Sequence, residues 1–313
     1  MPFQPRRPLP LPRAGLCLRI GIAIALLAAA PARAAAPTPQ ELAELQELMR
    51  RHVAGQQAIQ ASMQAWNATA AQRVQAYKDG AGRKRWQDAA QQVARVRSTP
   101  PSPEAAQLWQ ALDAGVDTAS GRAPLARATT PQSGEALALS STWLRHQVLQ
   151  QRADGRHSYA YALNLSRMGR PGEYLMEAAI FLAHARLALQ VDADRCADQA
   201  LAMDVMAGYE SQAGLRELDR AVQTLPPKQR ATAMLEAVIL EETLGERPVL
   251  PWLCQTPVAQ PTLTQVATPA GDIGQTFAVG QAPRPPRWVD QAVWQTARRQ
   301  RLQQATNSLL PSL

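Results

Sequence analysis

The stretch EYLMEAAIFLAHARLALQV, residues 173–191, decides the fold of this chain. It contains no helix-breaking residue, and only five of its side chains are strongly polar: Glu173, Glu177, His184, Arg186 and Gln190. At 100° per residue, most of the circumference of such a helix is apolar, so we expect other elements to cover it on several sides. Charged residues interrupt the ~20 apolar residues that a membrane span needs. The stretch is therefore predicted to be a core helix.

Further helices are predicted around this one, and together they form a helical core over residues 135–256. They are separated by Gly-containing turns at 169–172 and 212–214 and by Pro226-Pro227, and they cover residues 135–151, 158–168, 197–211, 215–225 and 228–244. Helices joined by so few residues pack antiparallel. The segment GRPGEYLMEAA, residues 169–179, resembles one unit of a tetratricopeptide-type repeat. The Trp, Gly, Tyr and Pro positions of that repeat do not recur, so the sequence predicts a helical-hairpin array or bundle and no family.

The first 35 residues have the features of a secretory signal peptide. Arginines at positions 6, 7, 13 and 19 precede an apolar run at residues 20–30, and small residues follow at 34–36. The run is shorter than a membrane span, and Cys17 lies near its start instead of behind small residues, which argues against a lipid anchor. We expect cleavage near Ala34 to Ala36, export to the periplasm, and no transmembrane span in the mature chain.

The net charge of the whole chain is +8, but it exaggerates the basic character of the mature protein. Five arginines and no acidic residues fall in residues 1–35, which leaves +3 for the remainder. A nucleic-acid partner would need a clustered basic patch, so none is predicted. Only 5% of the residues are aromatic, and Ala and Gln are abundant, which favours close-packed helices over a β-sandwich. The richness in Arg, Ala and Pro is typical of a GC-rich bacterial coding sequence.

Two cysteines, Cys196 and Cys254, remain after signal cleavage. A cysteine pair in an oxidising compartment is more often a disulfide than two thiols, and neither cysteine lies in a C-x-x-C motif. We therefore predict a disulfide that ties the start of the Pro-rich C-terminal region to the helical core. A redox-active or metal-binding pair is the alternative.

Residues 36–115 are predicted to form an N-terminal helical hairpin, followed by a linker at 116–134. A capping box with Pro39 at the first helical position opens a long helix whose apolar stripe begins at Leu42 and Leu45. Residues 79–82 are predicted to end it before a second helix at 83–97. The narrow stripe allows a coiled-coil partner, although packing on the protein's own core is the simpler interpretation.

Beyond the core, residues 257–286 are predicted to be a Pro-rich extended segment with little regular structure, in which GDIGQTFAVG could form a short strand. A terminal helix is predicted within residues 287–313. Its tryptophans lie next to a basic run, so it could dock on a partner or return to the protein's own core; the candidate interaction residues are Trp288, Trp294, Arg298 and Arg299.

Three patterns in the sequence resemble sites for chemistry. Glu173, Glu177 and His184 share one helical face, but they lack the spacing of H-E-x-x-H. The acidic run at residues 192–198 resembles the start of a calcium loop but lacks its Gly and its final Glu, so helix capping explains it better. Glu210-Ser211 resembles the Glu-Ser pair of lytic transglycosylases, without that family's downstream sequence.

No catalytic, cofactor-binding or metal-binding residue is therefore assigned, and no cofactor is predicted. The leading hypothesis is a periplasmic interaction or scaffold subunit of an envelope assembly that binds other envelope proteins. The alternatives are an envelope enzyme acting on peptidoglycan through Glu210 or Glu177, and a carrier of a small apolar ligand. The sequence leaves the oligomeric state open.

Overall fold

A computed structural model describes residues 38–114, 122–130, 134–211, 213–248, 251–254, 262–267, 273–278 and 285–312. The predicted signal segment lies outside these ranges. The chain divides into two compact units, one ending at Gln64 and the other beginning at Ala65. In the described ranges, no helix combines the length and apolar character needed to cross a bilayer.

The described chain is mainly helical, which confirms the predicted all-α class. The helices are α1 Pro39–Tyr77, α2 Arg83–Ser98, α3 Pro103–Ala114, α4 Arg122–Thr129, α5 Gly134–Leu149, α6 Gly155–Arg167, α7 Leu175–Ala193, α8 Gln199–Glu210, α9 Ala213–Gln223, α10 Pro227–Leu244 and α11 Gln291–Leu309. Short 3₁₀ turns cover Pro251–Leu253 and Leu310–Ser312. The bounds of the core helices lie close to those expected from the sequence.

Helix α7, the stretch that decided the prediction, lies at the centre of the unit that begins at Ala65. It packs against α6 on one side and α10 on another, and α5 packs on α6. The start of α6 approaches α7 so closely that a Cβ on Gly155 would lie 2.6 Å from the carbonyl oxygen of Ala185. The turn between the two helices uses Gly169 and Gly172 with φ of +64° and +85°, as glycines in a tight helix connection permit.

The core is built of aliphatic side chains and a few large aromatic ones. The fully buried large side chains in the described residues include Trp109, Trp143, Tyr159, Phe181, Leu182, Leu189 and Ile239. Phe181 of α7 meets the rings of Trp86 and Tyr161 edge to face, at centroid distances of 5.8 and 4.5 Å. Such pairs add specific geometry to area burial, so α7 is held to both α2 and α6.

The predicted stop at residues 79–82 does not occur. Lys78–Gly82 forms a π-helical turn, and the chain continues into α2 with helical dihedral angles at Gly82 and Arg83, so the hairpin expected within residues 36–115 is not formed there. Gly82 serves packing instead, because a Cβ at this position would lie 2.8 Å from Cδ1 of Ile239. Tyr77 and Trp86, one on each side of the turn, both donate hydrogen bonds to Glu236 of α10.

Two segments expected to be irregular contain regular structure. The predicted linker at 116–134 contains α4, which packs on α5 and α6. Strands β1 Thr262–Ala267 and β2 Ile273–Ala278 pair antiparallel within the predicted extended segment, with Thr262 opposite Ala278 and Ala267 opposite Ile273. The short strand expected in GDIGQTFAVG is thus present, and it has a partner.

The predicted disulfide between Cys196 and Cys254 is confirmed, with a Cα–Cα distance of 5.2 Å. Cys196 also forms an antiparallel bridge with Trp288, in which the Ala197 amide donates to the Arg287 carbonyl over 2.9 Å. The segment that precedes α11 is therefore fastened beside the disulfide. Helix α11 then packs on α10 and α7 around a second apolar cluster: Leu187, Val191, Val238, Trp294 and Leu302.

Candidate functional site

The four candidate interaction residues near the C-terminus do not form one exposed patch. Trp294 is 1% exposed, donates its indole N–H to the Val191 carbonyl over 2.8 Å, and lies under the Arg195 guanidinium. Arg298 donates to the Glu241 carbonyl over 2.8 Å. Trp288 is 41% exposed, and Arg299 is exposed with a 3.4 Å contact to Thr296, its neighbour on α11. Helix α11 therefore directs Trp294 and Arg298 into the protein's own core.

The three side chains predicted to share one face near α7 have separate partners. Glu173 accepts a hydrogen bond from the amide of Arg170 in the turn before α7. Glu177 accepts one from the Tyr161 hydroxyl over 3.1 Å. His184 is fully buried and belongs to a different network. The structure therefore does not bring these three groups together as a metal or acid–base site.

His184 lies between Ser158 and Glu241 in an order that resembles a nucleophile, a base and an acid. Ser158 Oγ lies 2.8 Å from Nδ1, and Glu241 Oε2 lies 3.4 Å from Nε2. Burial lowers the pKa of His184, so the ring is neutral at pH 7. All three side chains are fully buried, so no substrate could reach the hydroxyl group. We interpret the array as a structural polar network.

Arg247 is the centre of charge in that network. Its guanidinium lies 2.7 Å from Glu241 Oε2 and 3.0 Å from Asp192 Oδ2, and its side chain is 2% exposed. Burial alone would raise the pKa of Glu241, but Arg247 and then His184 hold it at about 2. Burial raises the pKa of Asp192 to about 6, against the effect of the same guanidinium. Sequence reasoning missed this cluster because Arg247 falls in a connection after α10, where charges are normally solvated.

The acidic groups of the run at residues 192–198 also have structural partners. Asp194 pairs with Arg301 of α11, at 2.6 Å, and Asp198 caps α8 by accepting from the Leu201 amide over 3.0 Å. With Asp192 bound to Arg247, the run forms no calcium loop. Among the described residues, no group of three or more His, Cys, Asp or Glu side chains is placed to hold a metal ion.

Glu210 lies at the C-terminal end of α8, next to a cavity. It accepts a hydrogen bond from the Tyr159 hydroxyl and lies 3.6 Å from the Arg186 guanidinium, which also pairs with Asp219 over 2.9 Å. Burial and the bond to Glu210 raise the pKa of Tyr159, so this phenol remains a proton donor to the carboxylate. The adjacent Ser211 hydroxyl donates to the Gly208 carbonyl and ends the helix. These contacts give the Glu210-Ser211 pair a structural explanation.

The cavity beside Glu210 has a volume of about 700 Å³ and lies between α4, α6, α8 and α9. Most of its lining is apolar, and the main contributors are Leu125, Tyr159, Ala160, Leu163, Leu201, Val205, Tyr209 and Leu215. The rings of Tyr159 and Tyr209 lie 5.5 Å apart, and Trp252, stacked 4.0 Å from the Arg156 guanidinium, contributes to one wall. Its size is that of a typical small-molecule pocket. No local sequence pattern predicts this cavity, because its residues come from distant segments.

The most exposed apolar feature lies on α1, in the unit that ends at Gln64. We define the seam as the first and fourth positions of three consecutive heptads together with the first position of the next heptad: Leu42, Leu45, Met49, His52, Gln56, Ile59 and Met63. Its five apolar side chains are each 44–63% exposed, although residues of these types are usually buried. Glu47 on the opposite face pairs with Arg50 and Arg51 of the same helix, at 3.3 and 3.0 Å. Among the described residues of this unit, the seam is thus a heptad stripe without a partner.

No protein-family model, no curated protein and no solved structure matches this chain. Its function must therefore be inferred from its own residues. The fold and these surfaces define a disulfide-bonded all-α protein with an apolar cavity and an exposed helical seam.

Proposed function

We propose that this chain is an exported, periplasmic interaction subunit of an envelope assembly, and that it binds protein partners through the seam. The observation that carries the proposal is the exposure of five large apolar side chains at heptad spacing over three heptads, because a stripe with this spacing faces the partner helix in a coiled coil. Exposed apolar surface of this kind marks interaction sites in soluble proteins. The N-terminal segment and the disulfide support export, because disulfides persist in oxidising compartments.

Partner binding is tested by crosslinking the mature protein in its native envelope and identifying the products by mass spectrometry. Substituting Leu45→Glu and Ile59→Glu places two charges in the seam, so crosslinked partners should be reduced by at least roughly tenfold. The matched control is Ala54→Glu with Ala61→Glu, which adds the same charges on the outer face of the same helix. Equal partner yields from all three proteins would contradict the proposal.

A second candidate function, carriage of a small apolar ligand, is favoured by the cavity beside Glu210. Its volume and mainly apolar lining suit a ligand with aromatic or aliphatic groups. Gly208 of α8 lines it, and a Cβ at this position would meet nothing within 4 Å, so a larger side chain can enter without displacing backbone.

We expect the neutral fluorescent probe N-phenyl-1-naphthylamine to bind the mature protein, and Gly208→Leu to weaken this binding by roughly tenfold because leucine occupies the cavity. The melting temperature should not fall, since leucine favours a helix over glycine by up to about 1 kcal/mol. Gly134→Leu serves as the control, because its Cβ also meets nothing within 4 Å but lies away from the cavity lining. Unchanged probe affinity in Gly208→Leu would exclude the cavity as the binding site.

A further inference from the structure

We propose that the seam pairs with the seam of a second copy of this chain, in a parallel, two-stranded coiled coil in register. The inference rests on the proposed function, in which the seam is an interaction surface. It goes further because it identifies the partner as a second copy of this chain. Three features of α1 support it: the order of polar and apolar residues along the seam, the residues that flank the seam and the placement of the charges.

The layers of the seam match themselves. Along the helix, three apolar positions are followed by His52 and Gln56 and then by two apolar positions. In a parallel pair in register, each layer contains the same residue from both copies, so polar side chains meet only polar side chains. The Gln56 amide nitrogen lies 3.0 Å from His52 Nε2, which keeps the two polar groups together on one side of the helix. A polar layer of this kind fixes register at a cost in affinity.

The flanking residues select the parallel orientation. Leu48 and Val53 are 67% and 48% exposed and occupy the seventh position of one heptad and the fifth position of the next. These positions face each other across a parallel coiled coil, since e and g residues line its two edges. Leu48 of each copy would therefore cover Val53 of the other, and the two-fold symmetry of the pair produces this contact on both edges. In an antiparallel pair g positions face g positions, so Leu48 would lie opposite Gly55 or Ser62, according to the register, and would not meet Val53.

The charges of the helix favour a second copy over a complementary partner. Coiled coils that choose a different partner do so through charged residues at the e and g positions. Between residues 46 and 62 those positions hold no charge: Gln46, Leu48, Val53, Gly55, Gln60 and Ser62. Glu47 pairs with Arg50 and Arg51 on the outer face, so the one net positive charge of this group lies away from the seam. Two copies can therefore approach without like-charge repulsion along the seam.

The test is the mass of the mature, disulfide-bonded protein by sedimentation equilibrium over a range of concentrations. We expect a dimer for the unchanged protein and for Ala54→Glu with Ala61→Glu, and a monomer for Leu45→Glu with Ile59→Glu. The melting temperature and the far-UV circular dichroism of each variant report whether it still folds. Substituting His52→Leu and Gln56→Leu removes the polar layer and should tighten the dimer by at least roughly tenfold, a gain that misfolding cannot produce.

Orientation is tested with Met49→Cys, which should form a disulfide between the introduced cysteines of the two copies only in the parallel register. Failure of this crosslink in a dimer would overturn the orientation.

A monomer at every concentration would overturn the pairing. If such a monomer still crosslinks to a different envelope protein through Leu45 and Ile59, the proposed function stands and only the second copy is excluded. A dimer with no other envelope partner would support the pairing and contradict the assembly role.

Discussion

Replacing Arg247 with methionine should lower the free energy of unfolding by about 3–5 kcal/mol, because among the described residues its guanidinium is the only cation that contacts both the buried Glu241 and the largely buried Asp192. The Arg247 guanidinium lies 2.7 Å from Glu241 and 3.0 Å from Asp192. Glu241 is fully buried and keeps only the longer contacts to Arg298 and His184, at 3.3 and 3.4 Å. Methionine fills part of the volume of the arginine side chain. The loss of stability therefore reports the uncompensated charge of the carboxylates more than the cost of a cavity.

Urea denaturation at constant temperature measures this loss, and Arg299→Met is the control, since Arg299 is exposed and makes only a 3.4 Å contact. The deficit should depend on pH. Without Arg247, burial raises the pKa of Glu241 above its unfolded value, so the folded variant takes up a proton that the unfolded chain does not. Its deficit should therefore be smaller at about pH 5 than at about pH 8. A deficit independent of pH and equal to that of Arg299→Met would contradict the role given to the guanidinium.

Substituting Cys196→Ala and Cys254→Ala together should destabilise the protein by about 4 kcal/mol, because the bridge closes a loop between residues 58 apart in sequence. Alanine is chosen over serine because both cysteines are buried, and a buried hydroxyl group would add its own cost. Equilibrium unfolding in urea gives the value. The control is the unchanged protein unfolded in the presence of a reductant, which should lose a similar amount. A loss below about 1 kcal/mol would show that the bridge constrains little of the unfolded chain.

The sequence predicted those features of the fold that local chemistry determines. The mainly apolar run at residues 173–191 lacks helix-breaking residues, and the glycines at 169 and 172 favour a turn. The helix α7, its preceding turn and the disulfide, which was the leading prediction for the two cysteines, all occur as expected. Gly82 misled the prediction because a glycine that ends a helix and one that admits a neighbour look alike in sequence. Only Ile239, 157 residues away, distinguishes them.

The candidate sites also differed in how far they could be predicted, because some depend on one helix and others on side chains from distant segments. The seam follows from heptad spacing on one helix, so its stripe was visible in the sequence, but its exposure could be seen only in the structure. The Arg247 cluster and the cavity require side chains from several helices, and no local pattern announces them. Trp294 shows that a local pattern can also fit two structures. A tryptophan beside a basic run occurs in docking helices, and it also occurs where a helix buries its tryptophan and its arginines extend towards solvent, as here.

Helix α11 has a consequence for the order in which the chain folds. Trp294 contacts the Val191 carbonyl across 103 residues, and Arg301 pairs with Asp194 across 107. Contacts of such sequence separation form late, because a long intervening segment must first be ordered. The apolar face that Leu187 shares with α10 therefore stays uncovered until the last part of the chain is available. During synthesis, completion of the core waits for the C-terminal helix, and a prematurely terminated chain would present that face to other proteins.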